Sequence, residues 1–243
     1  MANRPSITVG DVVHTYNRGT RKLDIVHAEL DREYFLQALF YFNDSHSIPN
    51  IFTELREMHP NLLARFLWPP GWEARDPLVT VHAYILMPNH FHLVLEEIHE
   101  NGISLFMQKF GTGFTGRYNI RYKTSGNLFQ GRYKYAHVEK DDYLHYLGAY
   151  VQVKNALELY PGGIKTALKE FNEAFDFVCS YRYGSLSHYV GKSKTPVIAV
   201  TTEEPLFLEV GNKSAYKKFV FNVLRRPDFE TMLEKIRLDD DMV

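Results

Sequence analysis

Met87-Pro88-Asn89-His90-Phe91-His92-Leu93-Val94-Leu95-Glu96 decides how the rest of the chain is read. Pro88-Asn89 is turn chemistry, and it hands the chain into a run of alternating character that predicts a strand. Side chains alternate across a strand, so His90, His92 and Val94 point one way while Phe91, Leu93 and Leu95 point the other. The second set makes a core face. The first carries two imidazoles about 7 Å apart at the Cβ, from two residues of strand rise, close enough to share one divalent metal. Neutral imidazole suits Mn, Zn, Co or Ni better than Ca. A bare His-x-His also describes a bland half-exposed strand, so the flanking sequence has to decide.

Upstream, Leu78 to Leu86 alternates and is rich in β-branched residues, predicting a strand that forms a tight antiparallel hairpin with the first stretch across Met87-Pro88-Asn89. Asp11 to Asn17 predicts another strand, ending at the turn Asn17-Arg18-Gly19. Leu30 to Phe42 keeps helical spacing, with Asp31 and Glu33 near its start suiting the helix dipole. Ser47 to Pro70 reads as a helical insertion, chiefly over 48–70. Downstream, Ile103 to Arg121 predicts a helix. Gly111 and Gly113 weaken it, as would be tolerated where a phosphodiester backbone approaches closely. Arg132 to Val138 is a fourth strand, and a helix runs from Asp141 to about Asn155. The order β-α-β-β-α-β plus one helix predicts an α+β fold. Its core is a ferredoxin-like, RRM-like four-stranded antiparallel sheet with helices on one face. Residues 1–160 form that unit. Residues 161–243 read as a helical C-terminal extension, with one helix after Pro161-Gly162-Gly163 to about Ser180, then a loop-rich stretch. A last helix covers Ala215 to about Ile236, interrupted at Pro227.

At 243 residues and 45% hydrophobic content, the chain buries an ordinary globular core. No apolar run approaches a membrane span, and Met1-Ala2-Asn3-Arg4-Pro5 lacks the apolar core of a signal peptide. One cysteine, Cys179, fits a reducing cytoplasm. Net charge is −1, but it is unevenly distributed. Between Ile103 and Lys134 there is no Asp or Glu. That stretch carries Lys109, Arg117, Arg121, Lys123, Arg132 and Lys134, interleaved with Phe106, Phe110, Phe114, Tyr118, Tyr122, Phe129 and Tyr133. Phosphates want cations and unstacked bases want flat rings, so the stretch suits a nucleic-acid groove. It equally describes an amphipathic helix with a solvated basic face. The acidic excess lies elsewhere, notably in Asp239-Asp240-Asp241, read as a solvated end.

On the helix after the fourth strand, Leu144, Leu147 and Val151 form a core stripe, and Tyr143, Tyr146, Tyr150 and Lys154 an adjacent one. A free phenol titrates near pH 10 and needs a positioned base or cation to attack as phenolate. A metal on the two histidines would supply charge at the phosphate instead.

These residues together carry a resemblance. Asn17-Arg18-Gly19, Met87-Pro88-Asn89-His90-Phe91-His92, Leu128-Phe129-Gln130-Gly131-Arg132-Tyr133-Lys134 and the helix pattern Tyr-Leu-x-x-Leu-x-x-Tyr-Val look like the single-tyrosine (Y1) transposases. More narrowly, they resemble the IS200-like and REP-associated tyrosine transposases of the HUH endonuclease superfamily, in register from about Val12 to about Gly163. The resemblance implies cleavage and rejoining of single-stranded DNA beside hairpins, with a 5′-phosphotyrosine intermediate, Mg²⁺ or Mn²⁺, and commonly a homodimer. It implies Tyr150 as nucleophile and His90 and His92 as metal ligands. By position, Arg132 and Lys134 lie near the DNA path, with Arg18, Lys109, Arg117, Arg121 and Lys123 as further DNA-binding candidates. The family usually places a Gln or Asn one turn after the tyrosine as a third ligand. This chain has Lys154 there, with Asn155 next and Gln152 two after the tyrosine; a helical bulge would bring Asn155 round.

Three rivals remain from the residues alone. A catalytically weakened relative would bind structured or repetitive DNA as a regulator. An RRM-like RNA-binding module predicts stacking aromatics in the central strands, where this chain has histidines. A zinc hydrolase needs a third His, Asp or Glu at ligand spacing.

Overall fold

The computed structural model describes residues 6–59, 61–138, 141–190, 195–198 and 212–229, with no account of the side chains of 141–144. Four strands, β1 (Val12–Arg18), β2 (Val79–Leu86), β3 (His90–Glu97) and β4 (Lys134–His137), form one antiparallel sheet in the order β2-β3-β1-β4. This is the α+β, ferredoxin-like sheet expected from the element order. β2 and β3 close as a tight hairpin, the amide of Met87 donating to the carbonyl of His90 at 2.8 Å.

The alternation read from β3 has physical consequences on both faces. Phe91, Leu93 and Leu95 enter a first core with α1 (Glu29–Tyr41) and α4 (Gly102–Tyr122). Within it, Phe35, Phe91, Phe110, Phe114 and Phe129 meet mostly edge to face or tilted at 5.3–6.2 Å, the geometry aromatic quadrupoles favour. Val94 faces the other way, into a second core. That core holds the helical run α5 (Asp141–Gly148), a π-helical turn Ala149–Lys154, and α6 (Asn155–Leu157). Also in it are α8 (Phe171–Ser180) and α10 (Lys213–Leu224), which follow α7 (Gly163–Lys169) and the short α9 (Leu186–Tyr189). β2 also serves both cores, and a bulge shifts its alternation partway along. Val81 pairs with Leu95 and Ala83 with Val94, leaving His82 as an extra residue. Val79 and Val81 therefore face the first core while Ala83, Ile85 and Met87 face the second.

Several boundaries differ from the sequence reading. The insertion forms α2 (Ile51–Met58) and α3 (Asn61–Arg65), separated where His59 is extended. Ile51, Phe52 and Leu55 join the first core. The helix expected from Gly163 to Ser180 breaks at Glu170 into α7 and α8. The last helix ends at Leu224, and the expected continuation past Phe229, with the Asp239-Asp240-Asp241 tail, lies outside the described residues. Gly113 has a structural reason rather than a phosphate one: a Cβ there would stand 2.2 Å from the ring of Phe42 on α1's end. Among the described residues no helix is long and apolar enough to cross a membrane.

Gly19 is needed for space. Its φ is an ordinary −60°, but a Cβ would lie 2.1 Å from the carbonyl oxygen of Leu23 and 2.9 Å from Ile25 Cγ2. The loop 19–25 folds back at that point, with Ile25 and Val26 donating to the Pro88 carbonyl. Gly19→Ala should therefore destabilise the fold by about 1–3 kcal/mol, the usual overpacking cost. Urea unfolding would read this as a lower midpoint, and an unchanged midpoint would show that the loop yields freely.

Candidate active site

The site begins with strand register. In the β1–β3 pair, Tyr16 stands opposite His92 and Arg18 opposite His90. In the β1–β4 pair, Lys134 stands opposite Tyr16. One cross-strand row thus carries Lys134, Tyr16 and His92, and the next carries Arg18 beside His90. The His90 and His92 rings lie 5.1 Å apart between centroids, at 88°. His90 Nδ1 is 2.6 Å from Asn89 Oδ1. An amide oxygen only accepts, so that nitrogen carries the proton and Nε2 keeps the lone pair. Burial, followed by the neighbouring His14, His90, Lys154 and Arg18, holds the His92 imidazole well below its ordinary pKa. It is neutral at pH 7, as a ligand must be.

Asn17-Arg18-Gly19 and Leu128-Phe129-Gln130-Gly131 are distant in sequence but joined in space. Asn17 Nδ2 donates to the Gly131 carbonyl at 3.0 Å, Gln130 N to the Arg18 carbonyl at 2.9 Å, and Thr20 N to the Leu128 carbonyl at 2.8 Å. Leu128 and Phe129 are buried, which leaves Gln130, Gly131 and Arg132 exposed at the rim.

Tyr150 arrives from the other side of the cleft on the π-helical turn. The amide of Asn155 donates to the carbonyl of Tyr150, five residues back, and Asn155 Nδ2 donates to the same oxygen at 3.0 Å. A π turn contains one residue more than an α turn. Asn155 consequently takes up the direction that an α-helix gives to the residue four after the tyrosine. The Tyr150 ring meets His92 nearly edge-on, centroids 5.3 Å apart. Lys154 Nζ lies 5.5 Å from the centre of that ring and pairs with Glu158 at 2.5 Å.

The result is a cleft of about 450 Å³, lined by His90, His92, Tyr150, Lys154, Asn155, Glu158, Tyr16, Asn17, Arg18, Lys22, Arg132 and Lys134, with Gln130 and Gly131. Arg18, Lys22, Arg132 and Lys134 on its walls favour a phosphate anion. Two imidazoles and an amide side chain fit a borderline divalent cation. Among the described residues there is no cluster of three or more His, Cys, Asp or Glu that could hold a metal.

Gln152 is not brought into the cleft. Its Nε2 donates to Ser185 Oγ at 3.2 Å and its Oε1 accepts from the Tyr216 hydroxyl at 3.0 Å, inside the second core. The π turn that admits Asn155 leaves Gln152 on the opposite side. Four expected DNA-binding cations also lie elsewhere, three of them engaged by the fold. Lys109 Nζ donates to the carbonyls of Asp44 and His46 at 2.5 and 2.8 Å, stapling α4 to the segment that follows α1. Arg121 Nε pairs with Asp31 at 3.0 Å, and Arg117 lies over the Tyr34 ring at 5.6 Å. Lys123 ends α4 in a left-handed conformation, exposed and apart from the cleft. Tyr146 faces α10, its hydroxyl accepting from Arg226 at 2.9 Å.

Sequence reasoning missed His14, Tyr16, Lys22, Gln130 and Glu158. His14 and Tyr16 share the face of β1 that meets the histidines. Strand alternation gives that face, but only the β1–β3 register makes them neighbours of His92. Lys22 follows Arg21 in a left-handed pair (φ 57° and 62°) that no sequence pattern marks.

No protein-family model matches this chain, and no curated protein does. Among solved structures the chain matches a REP-associated tyrosine transposase bound to a REP hairpin. The match covers 83% of this chain and 91% of that one, at 13% identity and a TM-score of 0.43.

The corrected place of Gln152 is testable. Gln152→Leu removes the amide acceptor of the buried Tyr216 hydroxyl, and should cost about 1–3 kcal/mol of stability while leaving Mn²⁺ affinity unchanged. Denaturant unfolding and calorimetric Mn²⁺ titration would read the two effects. Stability unchanged with affinity lost would restore Gln152 as a ligand.

Proposed function

We propose that this chain is a metal-dependent endonuclease and strand transferase for single-stranded DNA, cleaving beside hairpins through a 5′-phosphotyrosine on Tyr150. The observation that carries this reading is the edge contact between Tyr150 and His92 in a cleft lined by Arg18, Lys22, Arg132, Lys134 and Lys154. The motif resemblance quoted above supports it independently. His90 and His92, with Asn155, would hold Mg²⁺ or Mn²⁺. A bound ion of this kind polarises the phosphodiester and stabilises charge on the leaving oxygen.

The chain's own residues do the rest. Arg18, Lys22, Arg132 and Lys134 bind and orient the strand through its phosphates. The Tyr150 oxygen bonds to phosphorus as the bond from phosphorus to the 3′ oxygen breaks. The phenolic proton leaves to solvent, and the 3′ oxygen takes up a proton. Lys154, held against the Tyr150 ring by Glu158, adds positive charge beside oxygens that become negative. The bond energy kept in the phosphotyrosine allows a 3′-hydroxyl to reverse the step and rejoin the strand. The C-terminal helices keep the tyrosine in place by packing behind it in the second core.

Covalent trapping tests this. Wild type, Tyr150→Phe and Asn155→Ala are incubated with a pool of hairpin-bearing single-stranded DNA and Mn²⁺, then resolved in SDS. A protein–DNA adduct is expected in wild type, absent in Tyr150→Phe, absent with EDTA, and reduced at least tenfold in Asn155→Ala at limiting Mn²⁺. An adduct that persists in Tyr150→Phe would assign the nucleophile wrongly. Hairpin binding without any adduct would favour a DNA-binding regulator in place of a nuclease.

A further inference from the structure

His14 lies on β1 and is 1% exposed. It does not line the cleft, so it touches neither substrate nor ion. Its Nε2 is 2.9 Å from His92 Nδ1. The two rings stack at 5.1 Å and 20°, and Tyr150 meets His14 edge-on at 6.1 Å. One buried imidazole therefore contacts both the metal-ligand candidate and the nucleophile candidate.

A hydrogen bond between two imidazole nitrogens has one proton and two possible owners. If His14 donates, His92 carries its proton on Nε2, the only ring nitrogen left for the cleft, and that nitrogen is closed to a cation. If His92 donates, Nε2 keeps its lone pair. We propose that His14 is a positioning residue: it accepts from His92 Nδ1–H, fixes His92 in the Nδ1-protonated tautomer, and so presents Nε2 to the cleft. His90 is set in the same tautomer by a different acceptor, Asn89 Oδ1 at 2.6 Å. Two unlike acceptors converging on one tautomer is what a shared cation needs of both rings. The usual acceptor behind a metal-bound histidine is a carboxylate, a backbone carbonyl or water. An imidazole fills the role without adding negative charge behind a cleft that takes a phosphate.

The proposal rests on the metal-site reading of the cleft, and its test separates the two. Long-range ¹H–¹⁵N NMR on histidine-labelled, metal-free protein reads the His92 tautomer directly. Wild type is expected to show Nδ1–H. His14→Phe keeps an aromatic ring but removes the acceptor, and should shift His92 toward Nε2–H. His14→Gln sets an amide oxygen near the old Nε2 position and should restore the wild-type tautomer. Calorimetric titration with Mn²⁺ should follow the same order, with affinity falling about 10–100-fold in His14→Phe and recovering in His14→Gln. Loss of packing alone would lower unfolding midpoints without this pattern of rescue. An Nε2–H tautomer in wild type, or an unchanged tautomer in His14→Phe, would overturn the proposal, and the wild-type spectrum decides even if that variant fails to fold. Wild type with the Nδ1–H tautomer and no Mn²⁺ binding would instead overturn the metal reading and leave tautomer control by His14 standing.

Discussion

The antiparallel pairing of β1 with β3 is the constraint on which the cleft depends. With Tyr16 opposite His92 and Arg18 opposite His90, the histidine face of β3 continues into β1 as His14, Tyr16 and Arg18, and into β4 as Lys134. A slip of one residue would turn all of these toward the first core and send Val13 and Thr15 to the cleft. Burial forbids it: Val13, Thr15, Phe91, Leu93 and Leu95 are all almost completely excluded from water on the first-core face. The hydrophobic demand of one face therefore fixes the chemistry of the other. The Asn17–Gly131 and Gln130–Arg18 hydrogen bonds then pin the end of β1 to the 128–131 segment, which is why Arg18 and Arg132 flank one opening.

A ferredoxin-like sheet with helices on one side leaves its other face to be covered. Here that face carries polar rings at one end and Ala83, Ile85 and Val94 at the other. The apolar end is covered by the helical run that bears Tyr150 and, behind it, by α8 and α10. The same packing that removes Ala83, Ile85 and Val94 from water thus holds the tyrosine against the histidines. Gln152 belongs to this support, since its amide ties the π turn to Ser185 and Tyr216. A π turn is less favourable than an α turn and is found mostly as a local bulge at functional sites. The buried polar contacts on its far side give it the fixed partners it needs.

Much of this was legible in the sequence because it follows from short periods. Alternation over residues 90–96 assigned both faces of β3, and the spacing of elements gave the sheet. What period alone could not give was charge assignment on α4. Lys109, Arg117 and Arg121 lie in a stretch free of Asp and Glu, and read as available cations. Their partners come from elsewhere in the chain: the Asp44 and His46 carbonyls, the Tyr34 ring, and the Asp31 carboxylate. Local composition has no knowledge of such partners. Arg132 and Lys134, expected near a DNA path by position alone, line the cleft, where the buried Leu128 and Phe129 anchor the segment that leads into them. His14 escaped notice for the opposite reason. A lone histidine on a strand has no local mark, and its meaning depends wholly on which strand lies beside it.

The exchange of places between Lys154 and Asn155 follows from helix geometry. In an unbroken α-helix, position 154 would point with Tyr150 and position 155 would turn about 100° further round. A cation would then stand on the tyrosine's side, facing two imidazoles across the cleft, at the place the proposed ligand set gives to an amide oxygen. Inserting one residue into the turn brings Asn155 to the tyrosine's side, yet Lys154 still reaches the cleft, because a four-carbon stem can bend where a short amide cannot. Glu158, one turn on, draws that stem toward the helix and partly offsets its charge. Position 158 reaches Lys154 through an ordinary four-residue spacing. With the bulge and Glu158 present together, Lys154 and Asn155 both line the cleft beside Tyr150.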